Sequence, residues 1–250
     1  MKEKVINELK EIEKENDITV IYACESGSRS WGLNHEKSDY DVRFIFKRNK
    51  LEDYLCIDEK ADVINRTKDS LDIVGWDIKK ALRLHYKSNA DLREWLISKE
   101  VYIPLEKDYF KGLPDFDKIL LKKHYTGIIC SDLVKKGKGK DDRKYKRRLY
   151  DVRGILACKA INQGLSPEII MVDLIEQIEL DKTLKEKILQ MIKDHKSRKE
   201  KIDEEDLNYM DKFIEESYNV LSAENKKAVP EKRDKELYDK RFFDIVTGKL

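Results

Sequence analysis

Two aspartates, Asp39 and Asp41, stand one residue apart in an otherwise apolar and aromatic run. The run, DYDVRFIF at 39–46, is typical of a β-strand because β-branched and aromatic side chains favour strands. Successive side chains of a strand point to opposite faces, so Asp39 and Asp41 are predicted to share one face. Neighbouring carboxylates repel each other unless solvent or a cation lies against them. A divalent metal ion is the obvious cation, and an exposed edge strand whose acids only prevent aggregation is the alternative.

A third acid, Asp72, lies in SLDIVGW at 70–76, which alternates as a strand does. Phosphoryl transfer needs positioning and charge neutralisation more than covalent chemistry from the protein. Mg²⁺ suits that task because it binds carboxylate oxygens together with substrate phosphates. We therefore expect Asp39 and Asp41 to bind Mg²⁺ or Mn²⁺, with Asp72 as a third ligand. Asp77 is the alternative third acid, although its position favours capping of the helix that follows.

A glycine-serine turn, Gly27-Ser28, precedes the acidic pair in the sequence ESGSRSWG at 25–32. Glycine lets backbone N–H groups approach a phosphate closely, and the serine hydroxyl can donate a hydrogen bond to it. The start of a short helix after the turn also favours an anion. Gly27 and Ser28 are therefore predicted to hold a phosphate.

Two arginines near these motifs are candidates for phosphate contact. Arg29 follows the turn, and a salt bridge to Glu25 is its alternative role. Arg43 lies two residues after Asp41 on the same strand face, so it could equally serve as a counter-ion to the aspartates.

The elements that must position these residues occupy the first part of the chain. A continuous apolar stretch, ITVIYA at 18–23, is typical of a strand buried on both faces. The apolar spacing of the remaining segments predicts a helix over 1–16, a short helix over 29–33, strands over 39–46 and 70–76, helices over 77–87 and 92–97, and an extended piece over 101–104.

Beyond Pro114 the composition changes to helix formers at helical spacing. Helices are predicted over 116–135, 143–163, 167–179, 182–197 and 203–223, with a last one over 237–245. We therefore expect an α+β fold, in which residues 1–110 form a small mixed sheet with flanking helices and residues 111–250 form an all-helical domain.

The net charge of the 250-residue chain does not indicate a class of partner, since 52 Lys and Arg nearly balance 50 Asp and Glu. One segment differs: residues 135–148, KKGKGKDDRKYKRR, contain nine basic residues and two acids. Such a segment can neutralise nucleic-acid phosphates, and the alternative is a solvated helix face. No apolar run is long enough to span a membrane, and the amino terminus is too charged for a signal-peptide core. We therefore expect a cytoplasmic protein with no membrane partner.

The motifs together resemble a known superfamily. A GS turn, a D-x-D strand and a later strand with one Asp are similar to the nucleotidyltransferases of the DNA polymerase beta superfamily. The strings ESGSRSWG and SDYDVRF resemble its RlaP-type branch, including Arg29, Trp31 and Gly32. LDIVGWDIKKALRL and SNADLREWL are similar to the second block of that branch, with the third acid at Asp72 and matches at Asn89 and Glu94. Departures are Ser30 and an Asn-Ala where Asn-Pro is common.

A third similarity covers KRRLYDVRGILACKAI at 146–161, where Lys146, Tyr150 and Arg153 recur on one helix face. The resemblance implies a sheet of the polymerase beta type and metal-dependent transfer of a nucleoside monophosphate, the EC 2.7.7 type of reaction. It implies an NTP substrate, with ATP expected, and the helix face that Lys146, Tyr150 and Arg153 share is predicted to contact the triphosphate or the acceptor. The name of the branch makes an RNA end the candidate acceptor. Transfer to a protein or small molecule is one alternative, and a non-catalytic RNA-binding or antitoxin-like module is another.

Overall fold

The computed structural model describes residues 1–135, 144–198 and 203–250, which form two compact units. The first unit combines residues 1–30, 38–116 and 232–250, and the second combines residues 31–37 and 117–231. The units thus interleave along the chain, whereas the sequence predicted a single boundary after residue 110, and that division stays a prediction. None of the helices in the described ranges is long and apolar enough to cross a membrane.

The first unit contains a five-stranded mixed sheet. Its strands are β1 (Ile18–Ser26), β2 (Tyr40–Arg48), β3 (Val63–Lys68), β4 (Leu71–Asp77) and β5 (Val101–Ile103). Their order across the sheet is β3-β4-β2-β1-β5, in which β2 and β4 are parallel and the other neighbours are antiparallel. The predicted α+β class with a small mixed sheet is confirmed. The parallel register brings the amino-terminal ends of β2 and β4 side by side.

Four helices of the first unit come from its amino-terminal part. They are α1 (Lys2–Asn16), α2 (Gly27–Ser30), α3 (Ile78–Tyr86) and α4 (Ala90–Leu96). Asp77 caps α3, since its side chain accepts a hydrogen bond from the backbone N–H of Lys79 at 2.8 Å. Asn89 caps α4 in the same way. The capping prediction for Asp77 is confirmed. Asp77 lies at the opposite end of β4 from Asp72.

The second unit consists of helices in the ranges that the structure describes. They are α5 (Lys118–Lys135), α6 (Lys144–Asn162), α7 (Met171–Gln177), α8 (Lys182–Lys196) and α9 (Glu204–Lys227). These helices agree with the predicted ones to within a few residues. A last helix, α10 (Lys235–Val246), packs on the first unit through Tyr238 and Ile245.

Apolar layers cover both faces of the sheet. On one face, Val5, Leu9 and Ile12 of α1 pack against the strands. The alternation of β2 explains this layer, because Val42 and Phe44 point into it and are fully buried. The other face packs against α3, α4 and α10, which leaves the amino-terminal ends of β2 and β4 for polar residues.

Candidate active site

Asp41 and Asp72 lie directly opposite each other at the amino-terminal ends of β2 and β4. The guanidinium of Arg43 lies between their carboxylates. Its Nη2 is 3.2 Å from Oδ1 of Asp41 and 2.9 Å from Oδ2 of Asp72, and its Nη1 donates to the carbonyl of Asp72 at 2.8 Å. Arg43 is therefore the counter-ion of the acidic pair, and its predicted contact with phosphate stays a prediction.

Asp39 does not share the strand with Asp41. β2 begins at Tyr40, and Asp39 is the exposed residue before it. Arg29 donates to the carbonyls of Ser38 and Asp39 at 2.8 and 3.1 Å, and its guanidinium lies 3.7 Å from the centre of the Tyr40 ring. The prediction that both acids lie within the strand is wrong for Asp39, which stands one residue before the strand and whose carbonyl accepts from Arg29. These contacts also replace the alternative salt bridge from Arg29 to Glu25.

Gly27 begins α2 and packs directly against Asp41. Its φ is +59°, a left-handed conformation that favours glycine, and a Cβ there would lie 2.0 Å from Oδ2 of Asp41. The helix occupies Gly27–Ser30 rather than the predicted 29–33, and Ser28 is buried. Only glycine fits at position 27 here, because any Cβ would collide with the carboxylate of Asp41. The phosphate contacts of Gly27 and Ser28 stay predictions.

Glu25 is a buried acid at this site that the sequence reasoning missed as a functional residue. Only 2% of it is exposed. Its Oε1 accepts the backbone N–H of Asp41 at 2.9 Å, and its Oε2 accepts the hydroxyl of Tyr102. Burial raises the pKa of Glu25, and the hydrogen bond from Tyr102 opposes that shift. The available signal was an acid in the apolar strand ITVIYACES, two residues before the glycine.

Mg²⁺ prefers carboxylate oxygens as ligands, and Asp41 and Asp72 each supply a carboxylate. Their carboxylates already converge on one positive nitrogen of Arg43, which fits two ligands of a single divalent cation. Within residues 1–135, 144–198 and 203–250, no group of three or more His, Cys, Asp or Glu is arranged to hold a metal ion. The metal-binding roles of Asp39, Asp41 and Asp72 stay predictions.

Lys146, Tyr150 and Arg153 lie along α6 in the second unit, where Tyr150 and Arg153 contact Trp31 of the same unit. The Tyr150 ring meets Trp31 edge-on at 4.7 Å, and the Arg153 guanidinium lies 4.4 Å from the centre of the Trp31 ring. The Lys146 ammonium is 5.6 Å from the Tyr150 ring centre. Arg153 is buried, whereas Lys146 is exposed. The shared face is as predicted, and contacts to a nucleotide stay predictions.

The basic segment 135–148 lies mostly outside the described residues, which exclude 136–143. Arg148, at its end, is buried and pairs with Asp211 through two hydrogen bonds of 2.8 and 2.7 Å. That guanidinium has a structural partner within the helical unit. The binding of RNA by the segment stays a prediction.

The first unit is thus an α+β fold whose mixed sheet carries an acidic pair beside a glycine turn. It belongs to the RNA repair pathway DNA polymerase beta family, RlaP, whose model matches residues 1–244. The predicted family is confirmed.

The chain is similar to a bacterial protein in sequence, and a solved structure also matches it. The chain is 34% identical over 245 residues to the uncharacterized protein YcgL of Bacillus subtilis (strain 168), an alignment that covers 94% of this chain and 92% of the relative. A crystal structure of a nucleotidyltransferase-like protein from Exiguobacterium sibiricum 255-15 matches with 13% identity and a TM-score of 0.35, covering 88% of this chain and 75% of that one.

Proposed function

We propose that the protein is a Mg²⁺- or Mn²⁺-dependent nucleotidyltransferase that moves a nucleoside monophosphate from an NTP, with ATP as the expected donor, to a hydroxyl at an RNA end. The single observation that supports this most strongly is the pairing of Asp41 with Asp72 beside the Gly27 turn. Membership of the polymerase beta family supports the same class of reaction.

In the proposed reaction, the oxygen of the acceptor hydroxyl forms a bond to the α-phosphorus of the NTP. The bond between the α-phosphorus and the oxygen that bridges to the β-phosphorus breaks, and pyrophosphate leaves with that oxygen. The proton of the hydroxyl is lost to solvent. Two divalent ions, both held by Asp39 and Asp41 and the nucleophile's ion also by Asp72, would neutralise charge on the phosphates and on the attacking and leaving oxygens.

The remaining site residues have complementary roles in this proposal. Gly27 and Ser28 would hold the triphosphate through backbone N–H groups and a hydroxyl. Arg43 holds the carboxylates of Asp41 and Asp72 together in the free protein. Arg29 donates to the carbonyls of Ser38 and Asp39, and a further contact from Arg29 to phosphate is part of the proposal.

An RNA acceptor is supported by two observations. The name of the family to which the chain belongs refers to an RNA repair pathway. Residues 135–148 carry nine basic residues, which favour binding to a phosphate backbone through counterion release. Lys146, exposed at the start of α6, is the described member of this segment best suited to such a contact.

The test is incubation of the purified protein with each α-³²P-labelled NTP, Mg²⁺ and pools of cellular RNA, protein or small metabolites. We expect label that precipitates with RNA and is released by ribonuclease, and that requires the divalent ion. Label in the protein or metabolite pool would contradict the RNA acceptor and favour an AMPylating type of transfer. No label in any pool, with no Mg²⁺-dependent nucleotide binding by calorimetry, would contradict catalysis and favour a non-catalytic RNA-binding module.

A further inference from the structure

Glu25 uses all of its polar groups within the first unit. Its backbone N–H donates to the carbonyl of Glu100 at 2.9 Å, and its own carbonyl accepts the hydroxyl of Ser98 at 2.7 Å. Its carboxylate accepts one hydrogen bond from the backbone N–H of Asp41 and another from the hydroxyl of Tyr102. The Glu25 side chain is thus fixed between β5, which carries Tyr102, and the start of β2.

The placement of this carboxylate is energetically unfavourable by itself. A buried ionised group loses its hydration, and a second carboxylate nearby, that of Asp41, adds like-charge repulsion. Leucine would fill this strand position without either cost, but it would leave the backbone N–H of Asp41 and the hydroxyl of Tyr102 without this acceptor. A buried acid with satisfied oxygens next to a site residue therefore points to a role in holding that residue.

Glu25, Gly27 and Arg43 each contact Asp41. Its backbone N–H is held by Glu25, its Oδ2 is bounded by the backbone of Gly27, and its Oδ1 contacts Arg43. The hydrogen bond from the backbone N–H of Asp41 to Glu25 lies at the end of the β1–β2 ladder, where Ser26 pairs with Asp41.

We propose that Glu25, braced by Tyr102, is a positioning residue that fixes Asp41 for divalent-ion binding and nucleotidyl transfer. This inference rests on the proposed function. Glu25 acts through Asp41 and does not itself contact the substrate. The geometry of the hydrogen bonds, rather than the charge of Glu25, is what the role requires.

The experiment compares three variants of the full chain. Glu25→Ala removes both side-chain hydrogen bonds. Glu25→Gln keeps both, because its carbonyl can accept from Asp41 and its amide can donate to Tyr102. Tyr102→Phe removes only the outer bond. Glu8→Ala is the matched control, since Glu8 is another buried glutamate of this unit but pairs with Lys68 rather than with a predicted site residue.

Label transfer and Mn²⁺ binding are both measured, the latter by calorimetry in the presence of α,β-methylene-ATP. For Glu25→Ala we expect turnover to fall about 10- to 100-fold, the KM for the NTP to change by less than about threefold, and Mn²⁺ affinity to fall about tenfold. Glu25→Gln should stay within about threefold of the unmodified protein, and Tyr102→Phe should lie between the two. Glu8→Ala should lower stability without changing turnover.

Wild-type turnover and Mn²⁺ affinity in Glu25→Ala, with Asp41→Ala inactive, would overturn the role of Glu25 and leave the proposed function standing. Equal losses in Glu25→Ala and Glu25→Gln would overturn positioning, because charge would then be the requirement. An equal loss in Glu8→Ala would overturn it too, because general destabilisation would then be the cause. Absence of transfer in the unmodified protein would instead count against the proposed function.

Discussion

Replacement of Gly27 by alanine tests the close packing between the glycine turn and Asp41. The left-handed backbone at φ +59° costs an L-residue about 1–2 kcal/mol. The new Cβ would lie 2.0 Å from Oδ2 and 2.7 Å from Cγ of Asp41, whereas ordinary contacts begin at 3.4 Å. The carboxylate must therefore move by roughly 1 Å or more, and a displacement of that size in a catalytic site can cost about 100-fold in rate.

The assay is transfer of label from the α-³²P-labelled NTP, with thermal unfolding measured in parallel. Gly164→Ala is the matched control, because Gly164 has φ +82° and a Cβ there would meet nothing within 4 Å. Both variants should lose about 1–2 kcal/mol of stability from the backbone, and only Gly27→Ala should lose turnover, by about 100-fold. If Gly27→Ala transferred label at the rate of Gly164→Ala, the reasoning about the Gly27–Asp41 contact would be refuted.

Three further predictions concern stability and the acceptor. Burial raises the pKa of Asp151 to about 7 from its ordinary 3.8, so folding should lose stability as pH rises through this window. Asp151→Asn should be more stable than the unmodified protein at pH 8 but not at pH 4, as urea unfolding would show; a constant difference would contradict this. Gly75→Ala should destabilise by about 1–3 kcal/mol in the same assay, because its Cβ would lie 2.1 Å from the Phe44 ring, and unchanged stability would contradict that packing. Reversal of the charge of the basic residues at 135–144, which leaves Lys146 and the Asp211 partner Arg148 unchanged, should reduce labelling of RNA far more than NTP binding by calorimetry; equal effects would contradict a role in acceptor binding.

The sheet was predictable where side-chain pattern and burial agree. The alternation around Val42 and Phe44 and the apolar run 18–23 predicted β2 and β1, since each pattern has one structural solution. β3, with the sequence VINRTK, escaped prediction because an edge strand can be largely polar. The last helix was predicted, but its packing with the first unit was not, because an amphipathic pattern shows an apolar face and not what covers it.

The candidate site divides in a similar way. Asp41 and Asp72 could be selected by type and spacing, and the parallel register then placed them together. The spacing of Asp39 fits the strand pattern, but β2 begins one residue later, at Tyr40, and the carbonyl of Asp39 accepts from Arg29. The bonds of Glu25 depend on partners from β2 and β5 that are distant in sequence, so local pattern could not reveal them.

Replacement of Asp41 in the acidic pair is the most direct test of the proposed function. Asp41→Ala is purified, its fold is checked by circular dichroism, and label transfer from the NTP is measured with Mg²⁺ or Mn²⁺. We expect Asp41→Ala to fold and to have lost metal-dependent transfer. A folded Asp41→Ala variant that transfers label at the rate of the unmodified protein would contradict the central claim.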